Sequence, residues 1–114
     1  MSLNNTEEYA EPDLAQLVEN ADQAAVLLKA MSNKNRLMIM CSLFTNELSV
    51  GELNKLIPLS QSALSQHLSA LRQAKLVTTR RSSQTIYYSI TSGAAGQVIM
   101  ALKSYYCIDG NSNS

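Results

Sequence analysis

The stretch that most constrains the fold of this chain runs from Leu59 to Leu76 and reads LSQSALSQHLSALRQAKL. Its leucines recur at the spacing of one face of an α-helix, at Leu64, Leu68 and Leu71. The opposite face has hydroxyl and amide side chains and no acidic residue. The pattern therefore predicts an amphipathic helix whose polar side carries almost no charge.

Short uncharged donors and acceptors on such a helix can hydrogen-bond base edges in the major groove of DNA. Ser60 is a candidate N-cap, which would place the positive end of the helix dipole at the start of the polar face. The alternative is an ordinary amphipathic helix with an exposed side rich in Ser and Gln. The polar face comprises Gln61, Ser62, Ser65, Gln66 and Ser69.

The length of 114 residues predicts one small domain, and the apolar content of 46% is normal for a globular protein. No apolar run approaches the roughly 18 residues of a membrane span. The N-terminus lacks the basic start and apolar core of a signal peptide. We therefore expect a cytoplasmic protein with reduced thiols and no membrane partner.

The formal net charge of +0 conceals a segregation of charge along the chain. Six of the nine acidic residues precede residue 23, whereas all nine basic residues lie between Lys29 and Lys103, where only Glu47 and Glu52 are acidic. Nine minus two leaves +7 over this stretch, which favours a nucleic-acid partner. Accidental clustering of charge on a solvated surface is the alternative.

The N-terminal part of the chain predicts an acidic, disordered leader over residues 1–11 and a helix that begins at Pro12. Small and apolar residues form a broad stripe on this helix, which suits it to packing in a core or a dimer interface. The stripe comprises Leu14, Leu17, Val18, Ala21, Ala24, Ala25 and Leu28.

A second, heavily apolar helix is predicted from about Asn33 to Phe44. Its first turn contains Lys34 and Arg36, two cations that oppose the helix dipole. A local conflict of this kind can mark a functional site, and contact with phosphates is one explanation. The other is that both side chains are simply exposed and screened by solvent.

A helix-turn-helix is predicted around the organising helix. Ser49 and Glu52 have the spacing of a capping box at the start of a short helix that ends near Ile57. The turn Pro58-Leu59-Ser60 then leads into the organising helix. Two short helices joined by a tight turn are typical of this motif.

After Lys75 the sequence becomes rich in β-branched and aromatic residues, which predicts a β-hairpin formed by residues 77–81 and 85–90. Because the turn contains no Gly, we expect a loop longer than a tight two-residue turn. Arg80, Arg81 and Gln84 flank the tip. A basic hairpin that follows a helix-turn-helix can serve as a wing that contacts phosphates or the minor groove.

A last helix is predicted from Ser92 or Gly93 to Cys107, followed by a disordered tail at 109–114. The predicted fold is therefore mainly α with a small β-hairpin: a winged helix-turn-helix domain over residues 12–108. The apolar side of the last helix comprises Val98, Ile99, Leu102 and Tyr106, with Met100 and Tyr105 at its flanks.

This order of elements resembles the ArsR/SmtB family of winged-helix repressors, most closely its HlyU, BigR, NolR and SqrR branch. The resemblance extends from Leu14 to Cys107. It implies a homodimer paired through the N- and C-terminal helices, and a palindromic double-stranded DNA operator with half-sites about one helical turn apart. The motifs that carry it are ELSVGEL at 47–53, LSQSALSQHLSALRQAKLV at 59–77 and TRRSSQTIYYSI at 79–90.

The resemblance also implies roles for individual residues. The start of the organising helix would contact bases, the hairpin would contact the minor groove and phosphates, and Arg36 would contact the DNA backbone. The implied DNA-binding set is Arg36, Ser60, Gln61, Ser62, Ser65, Gln66, Arg80, Arg81 and Gln84.

Many members of the family bind metals, but this sequence argues against a metal or other cofactor. A Cys-x-Cys site at the third helix is replaced by Ser49-Val50-Gly51, and residues 92–107 contain no His, Asp or Glu. The single histidine, His67, lies beside the leucines of the organising helix. We expect it to be a structural, hydrogen-bonded imidazole, with contact to the DNA backbone as the alternative.

Two cysteines remain, Cys41 in the second helix and Cys107 at the end of the last. Cysteines in cytosolic proteins are often unpaired core thiols. In the HlyU/BigR/SqrR branch, cysteines at corresponding places form a dithiol switch that responds to persulfides by forming di-, tri- or tetrasulfide bridges. The resemblance therefore implies a repressor that senses reactive sulfur species through Cys41 and Cys107.

Other functions are compatible with parts of this pattern. Within the same class, the cysteines could form a peroxide-type disulfide sensor, or the protein could be an HlyU-like virulence activator that antagonises a nucleoid silencer. A sulfur-transfer enzyme lacks an acid–base partner for its thiol, so we expect no enzyme. A protein-binding adaptor would leave the Ser/Gln face and the arginines of the hairpin unexplained.

Overall fold

The computed structural model describes residues 2–91 and 93–106, with side chains from residue 14 onward. It confirms the predicted fold class, five helices with a small antiparallel sheet. In chain order the elements are α1 (Ser2–Met31), α2 (Lys34–Thr45), β1 (Leu48–Ser49), α3 (Val50–Leu56), α4 (Gln61–Gln73), β2 (Val77–Ser82), β3 (Thr85–Ile90) and α5 (Ala94–Tyr106).

The leucine face of α4 lies at the centre of the hydrophobic core, as its spacing predicts. These leucines are buried with side chains from α2, α3 and α5, and burying one apolar side chain of this size stabilises the fold by about 1.5–3 kcal/mol. The fully buried large side chains are Ile39, Met40, Leu53, Leu64, Leu68, Leu71 and Ile99.

The predicted starts of α2, α3 and α4 are confirmed. Asn33 caps α2 by accepting hydrogen bonds from the backbone N–H groups of Asn35 and Arg36. Ser49 and Glu52 form the capping box of α3, and Ser60 caps α4. These caps fix where each helix begins, and therefore the angle of the turn that leads into α4.

The sheet contains one strand that the sequence did not predict. Its order is β1-β3-β2, and all pairs are antiparallel. In β1, Leu48 pairs with Tyr88 and Ser49 pairs with Tyr87. The wing, residues 77–90, is thereby fixed to the segment between α2 and α3.

The prediction of a long loop at the tip of the wing is wrong. Ser82 pairs directly with Thr85, so only Ser83 and Gln84 form the turn. Ser83 has a φ of 62°, the left-handed conformation that Gly or Asn usually supplies in such turns. A serine therefore accepts the strain of a tight turn here.

Both ends of the chain differ from the predicted boundaries or lie outside the described residues. Helix α1 begins at Ser2 rather than at Pro12, because the backbone continues as a helix through the proline. The division into leader, domain and tail stays a prediction, and residues 107–114 lie outside the described residues. Among the described helices, none combines the length and hydropathy needed to cross a membrane.

The outer helices leave apolar side chains in solvent. On α1, three leucines and two valines are exposed, and on α5 the exposed residues include Tyr106, which was predicted on the apolar side of that helix. The other predicted residues of that side, Val98, Ile99 and Leu102, do pack in or against the core. The exposed large apolar residues of these helices are Leu14, Leu17, Val18, Val26, Leu28, Met100, Tyr105 and Tyr106.

Candidate nucleic-acid interface

Four polar side chains of α4 form an exposed surface, which we call the reading face: Gln61, Ser62, Ser65 and Gln66. They lie opposite the buried leucines, so packing of the core determines the direction in which the reading face points. Amide and hydroxyl groups on the first two turns of a helix can donate to and accept from base edges. The structure thus brings together all four residues predicted to contact bases.

Ser60 lies immediately before the reading face. Its Oγ accepts a hydrogen bond from the backbone N–H of Ala63 over 3.1 Å, which satisfies one of the free donors at the start of α4. The hydroxyl can still donate its own hydrogen to an acceptor in solvent. The residue therefore serves the helix start whether or not a ligand is bound.

Arg80 of the wing forms a bidentate ion pair with Glu47, which follows α2. Its Nε and Nη2 donate to the two carboxylate oxygens over 2.9 and 2.8 Å. The guanidinium also lies over the ring of Tyr87, 4.9 Å from the centroid. Hydrogen bonding to Arg80 lowers the pKa of Glu47 below its usual value, and the same bond raises the pKa of Arg80.

The two arginines of the wing point to opposite faces of the hairpin. Successive side chains of a strand alternate between faces, and Arg80 pairs with Tyr87 whereas Arg81 pairs with Ile86. Arg81 and Gln84 are exposed near the tip. One flat surface cannot contact Arg80 and Arg81 equally, but a hairpin tip inserted in a groove has walls on both sides.

Arg36 is the predicted DNA-binding residue that is least accessible. It is half-buried, its Nε donates to Nδ1 of His67 over 3.2 Å, and its Nη1 donates to the carbonyl of Ala30 over 3.2 Å. Contact of Arg36 with the DNA backbone stays a prediction. The expectation that His67 is hydrogen-bonded is confirmed, and its role stays a prediction.

Cys41 is half-buried in α2 and packs against the core, whereas Cys107 lies outside the described residues. Nearby, Lys103 of α5 places its Nζ over the ring of Phe44 in α2, 5.8 Å from the centroid. This contact sets the last turn of α5 beside the last turn of α2.

No metal-binding group is present within the described part of the chain: no three residues among its His, Cys, Asp and Glu side chains lie close enough together to hold an ion. The only histidine, His67, uses Nδ1 to accept a hydrogen bond from Arg36. The described residues therefore offer hydrogen bonding and charge to a partner.

Residues 33–79, which contain α2, the helix-turn-helix and the start of the wing, match the model of the family described as "Bacterial regulatory protein, arsR family". The chain is 50% identical over 95 residues to the transcriptional activator HlyU of Vibrio cholerae, which covers 83% of this chain and 88% of HlyU. The chain belongs to the ArsR family. It is a transcriptional regulator built on a winged helix-turn-helix. In proteins of this fold the second helix of the motif, which corresponds to α4 in this chain, enters the major groove.

Solved structures of similar proteins have the same fold. Reduced HlyU from Vibrio cholerae superimposes with a TM-score of 0.76 at 50% identity, covering 81% of this chain and 97% of that one. The transcriptional repressor BigR from Xylella fastidiosa gives 0.75 at 39% identity, covering 83% and 97%. The homodimeric winged helix-turn-helix DNA-binding domain of Mb0332 from Mycobacterium bovis gives 0.68 at 26%, covering 83% and 84%.

Sequence reasoning missed two partners within this site. It did not pair Glu47 with Arg80, although Glu47 is one of only two acidic residues in the basic stretch, which was a usable signal. It also did not pair Arg36 with His67 and the carbonyl of Ala30. No local pattern indicates that contact, because it depends on how three helices pack.

Proposed function

We propose that this ArsR-family regulator is a dimeric repressor that binds a palindromic duplex operator, with the reading face in the major groove and the wing beside it. The observation that carries the proposal is the exposed, uncharged reading face of α4 on a helix whose other face is locked in the core. A fixed helix with free donors and acceptors is what direct recognition of bases requires.

Glutamine side chains at the start of α4 suit adenine, to which an amide can make two hydrogen bonds. Gln61 and Gln66 are both exposed, and the serines between them are short enough to let the helix approach the groove. Ser60 and the first backbone N–H groups of α4 lie at the positive end of the helix dipole, where a phosphate is stabilised. This half of the interface would supply sequence specificity.

The wing would supply the contacts with the DNA backbone and minor groove. Arg81 and Gln84 are exposed near the tip, and Arg80 retains Nη1 for a phosphate while Nε and Nη2 bind Glu47. Arginine at such positions adds affinity that depends on salt and carries little sequence information by itself. The reading face and the wing therefore have separable effects on binding.

Dimerisation is supported by the apolar residues that α1 and α5 leave exposed. A single chain that exposes leucines, valines and tyrosines on its two outer helices usually buries them against another copy. The similar Mb0332 domain is homodimeric. A two-fold axis between the copies would present two reading faces to a palindromic site, about one turn of DNA apart.

The DNA-binding proposal is tested with duplexes that the wild-type protein enriches from a random-sequence pool. A variant with Gln61→Ala, Gln66→Ala, Arg80→Ala and Arg81→Ala should lose the enriched duplex, since each amide–base pair contributes about 1–3 kcal/mol. Gln73→Ala, an exposed glutamine at the other end of α4, is the matched control and should bind normally. Unchanged affinity of the fourfold variant would refute the proposal.

The sign of regulation is tested by placing the enriched duplex between a promoter and a reporter in cells. We expect the wild-type protein to lower expression and the fourfold variant to leave it high. The family includes both the activator HlyU and the repressor BigR by name, so the reporter distinguishes them. Increased expression would overturn the assignment as a repressor.

The proposed inducer is a reactive sulfur species that bridges Cys41 and Cys107. The contact of Lys103 with Phe44 supports this, since it sets the end of α5 beside α2, one turn from Cys41. Lys103 also precedes Cys107 by one helical turn in sequence, and its positive charge favours the thiolate that attacks first. The resemblance to the dithiol branch of the family points to the same pair.

The bridging chemistry balances without a further oxidant. Two cysteine thiolates and one persulfide RSSH give a disulfide, RS⁻ and HS⁻; the persulfide is reduced and the thiols are oxidised. With two persulfides the products are a trisulfide, two RS⁻ and H2S. A bridge between α2 and α5 would shift the dimer helices and separate the two reading faces, which would lower DNA affinity.

The inducer is tested by binding assays on reduced protein and on protein treated with glutathione persulfide or with peroxide. Excess persulfide should release DNA from the wild type and add one sulfur atom between its two cysteines, as in the trisulfide. Cys41→Ser and Cys107→Ser should stay bound to DNA after the same treatment. Release of DNA from Cys41→Ser would refute the switch. A product that has only lost two hydrogens, formed with peroxide alone, would identify a plain disulfide sensor.

A further inference from the structure

We infer that Arg36 and His67 are positioning residues that hold the DNA-reading helix α4 against the end of α1, and that Arg36 acts through this contact rather than by binding phosphate. The inference rests on the proposed function, because it concerns the orientation of the reading face. Its basis is one guanidinium that joins three helices: it is carried by α2, donates to the carbonyl of Ala30 in α1 and donates to His67 in α4.

Both ends of Arg36 are fixed. Its backbone N–H donates to the side chain of Asn33, the N-cap of α2, over 3.1 Å. Its Nε and Nη1 each donate over 3.2 Å, to His67 Nδ1 and to the Ala30 carbonyl. A long, flexible side chain loses much rotamer freedom when it is held in this way. It is a spacer of defined length between α1 and α4.

The charge of Arg36 is favourable where its guanidinium lies, although it is unfavourable where its backbone lies. The residue is in the first turn of α2, which is the positive end of that helix dipole. Ala30, however, is in the last turn of α1, whose final carbonyls have no partner within the helix and form the negative end. The unfavourable position of Arg36 at the start of α2 is therefore offset, because its guanidinium reaches the negative end of α1.

His67 connects this spacer to the reading face. It is half-buried on α4, next in sequence to Gln66 and one residue before the fully buried Leu68. Its Nδ1 is the acceptor of the hydrogen bond from Arg36, on the side of α4 that faces α2. The buried leucines determine which face of α4 points inward, but the helix can still rotate slightly about its own axis. A hydrogen bond from a charged donor at its side limits this rotation.

A residue that positions α4 and a residue that binds phosphate have different effects on DNA binding. A phosphate contact contributes to any duplex, and its loss reduces the dependence of affinity on salt by about one unit of slope. A positioning contact contributes only when bases are read, because bidentate contacts require exact alignment of the helix. Its loss should lower affinity for the specific site and leave the salt dependence unchanged.

The test uses the full-length protein with two probes, the duplex enriched by the wild type and a scrambled duplex of the same composition, over a range of salt. For Arg36→Gln and for His67→Leu, which keeps the bulk but removes the acceptor, we expect affinity for the enriched duplex to fall about tenfold. Affinity for the scrambled duplex and both salt slopes should not change. Circular dichroism at the assay temperature confirms that each variant is folded.

Rescue distinguishes positioning from a general loss of structure. In His67→Asn the amide oxygen can take the place of Nδ1, so this variant should recover most of the specific affinity that His67→Leu loses. The double variant Arg36→Gln/His67→Leu should be no worse than Arg36→Gln alone, since Arg36→Gln already removes the contact with His67.

Three results would overturn the inference. A salt slope lowered in Arg36→Gln on both duplexes would show that the arginine binds phosphate. Additive losses in the double variant would show that the two residues act separately. Failure of the wild type to bind any duplex would refute the proposed function and this inference together, whereas wild-type binding with either of the first two results refutes the inference alone.

Discussion

Helices α4 and α1 have the same kind of apolar stripe and opposite surroundings. The leucines of α4, at 64, 68 and 71, are at most 1% exposed, whereas Leu14, Leu17 and Leu28 of α1 are 54–59% exposed. The periodicity in both sequences specifies which side of the helix is apolar, but it does not specify what covers that side. Within one chain the core around α4 is complete, whereas the described apolar side chains of the α1 stripe are exposed.

The largest effect on stability should follow from a substitution in the core around α4. Leu64→Ala removes a fully buried side chain from α4 and should lower the free energy of unfolding by about 2–5 kcal/mol, measured by urea denaturation. The matched control is Leu56→Ala, at a position that is 62% exposed, which should change it by less than about 0.5 kcal/mol. Equal losses at both positions would contradict the assignment of Leu64 to the hydrophobic core.

The next effect should appear in assembly rather than in folding. Leu17→Asp places a charge in the exposed stripe of α1 and should convert the proposed dimer to a monomer with unchanged circular dichroism. Light scattering during size-exclusion chromatography measures the mass. The control Gln16→Asp adds the same charge at the adjacent residue and should remain dimeric. A dimer in both variants would mean that α1 does not form the interface.

A smaller effect should separate two neighbouring serines at the start of α4. Ser60→Ala removes the N-cap and should lower the free energy of unfolding by about 1 kcal/mol, measured by thermal denaturation. Ser62→Ala should leave stability nearly unchanged, because its side chain is exposed within the helix, but should weaken DNA binding. Loss of stability in Ser62→Ala would indicate that the reading face also supports the fold.

The smallest effect concerns the ion pair that connects the wing to the segment after α2. Because Arg80 lowers the pKa of Glu47, the pair stabilises the fold above the usual pKa of 4.5 and loses this contribution as the pH falls through the lowered value. The melting temperatures of the wild type and Glu47→Gln should differ slightly at pH 7 and converge at pH 2–3. Since both groups are exposed, added salt should reduce the difference. A gap that persists at low pH would require another role for Glu47.

Features determined by neighbouring residues were predictable from the sequence. The N-caps at Asn33, Ser49 and Ser60 each involve a side chain and a backbone group two or three residues away. The buried face of α4 follows from its own periodicity. For the same reason the four residues of the reading face were found together, because one helical repeat places them on one side.

Features that depend on distant pairing were not predictable. Strand β1 consists of two residues, and only their pairing with Tyr87 and Tyr88 makes them a strand. The tight turn at Ser83 was missed because a serine took a conformation more typical of glycine. Arg36 and His67 are separated by 31 positions, and their contact exists only once three helices are packed. The position of Cys107 stays a prediction, because this residue lies outside the described residues.

The fold of the domain does not depend on the side chains of the reading face. Gln61, Ser62, Ser65 and Gln66 fill no part of the core, whose buried members are all apolar residues elsewhere in the sequence. Exchanging these four for other residues would therefore cost the domain little stability. If the reading face contacts bases, related regulators could acquire new target sites through substitutions at these four surface positions. Randomising the same four codons in the laboratory should still yield folded protein.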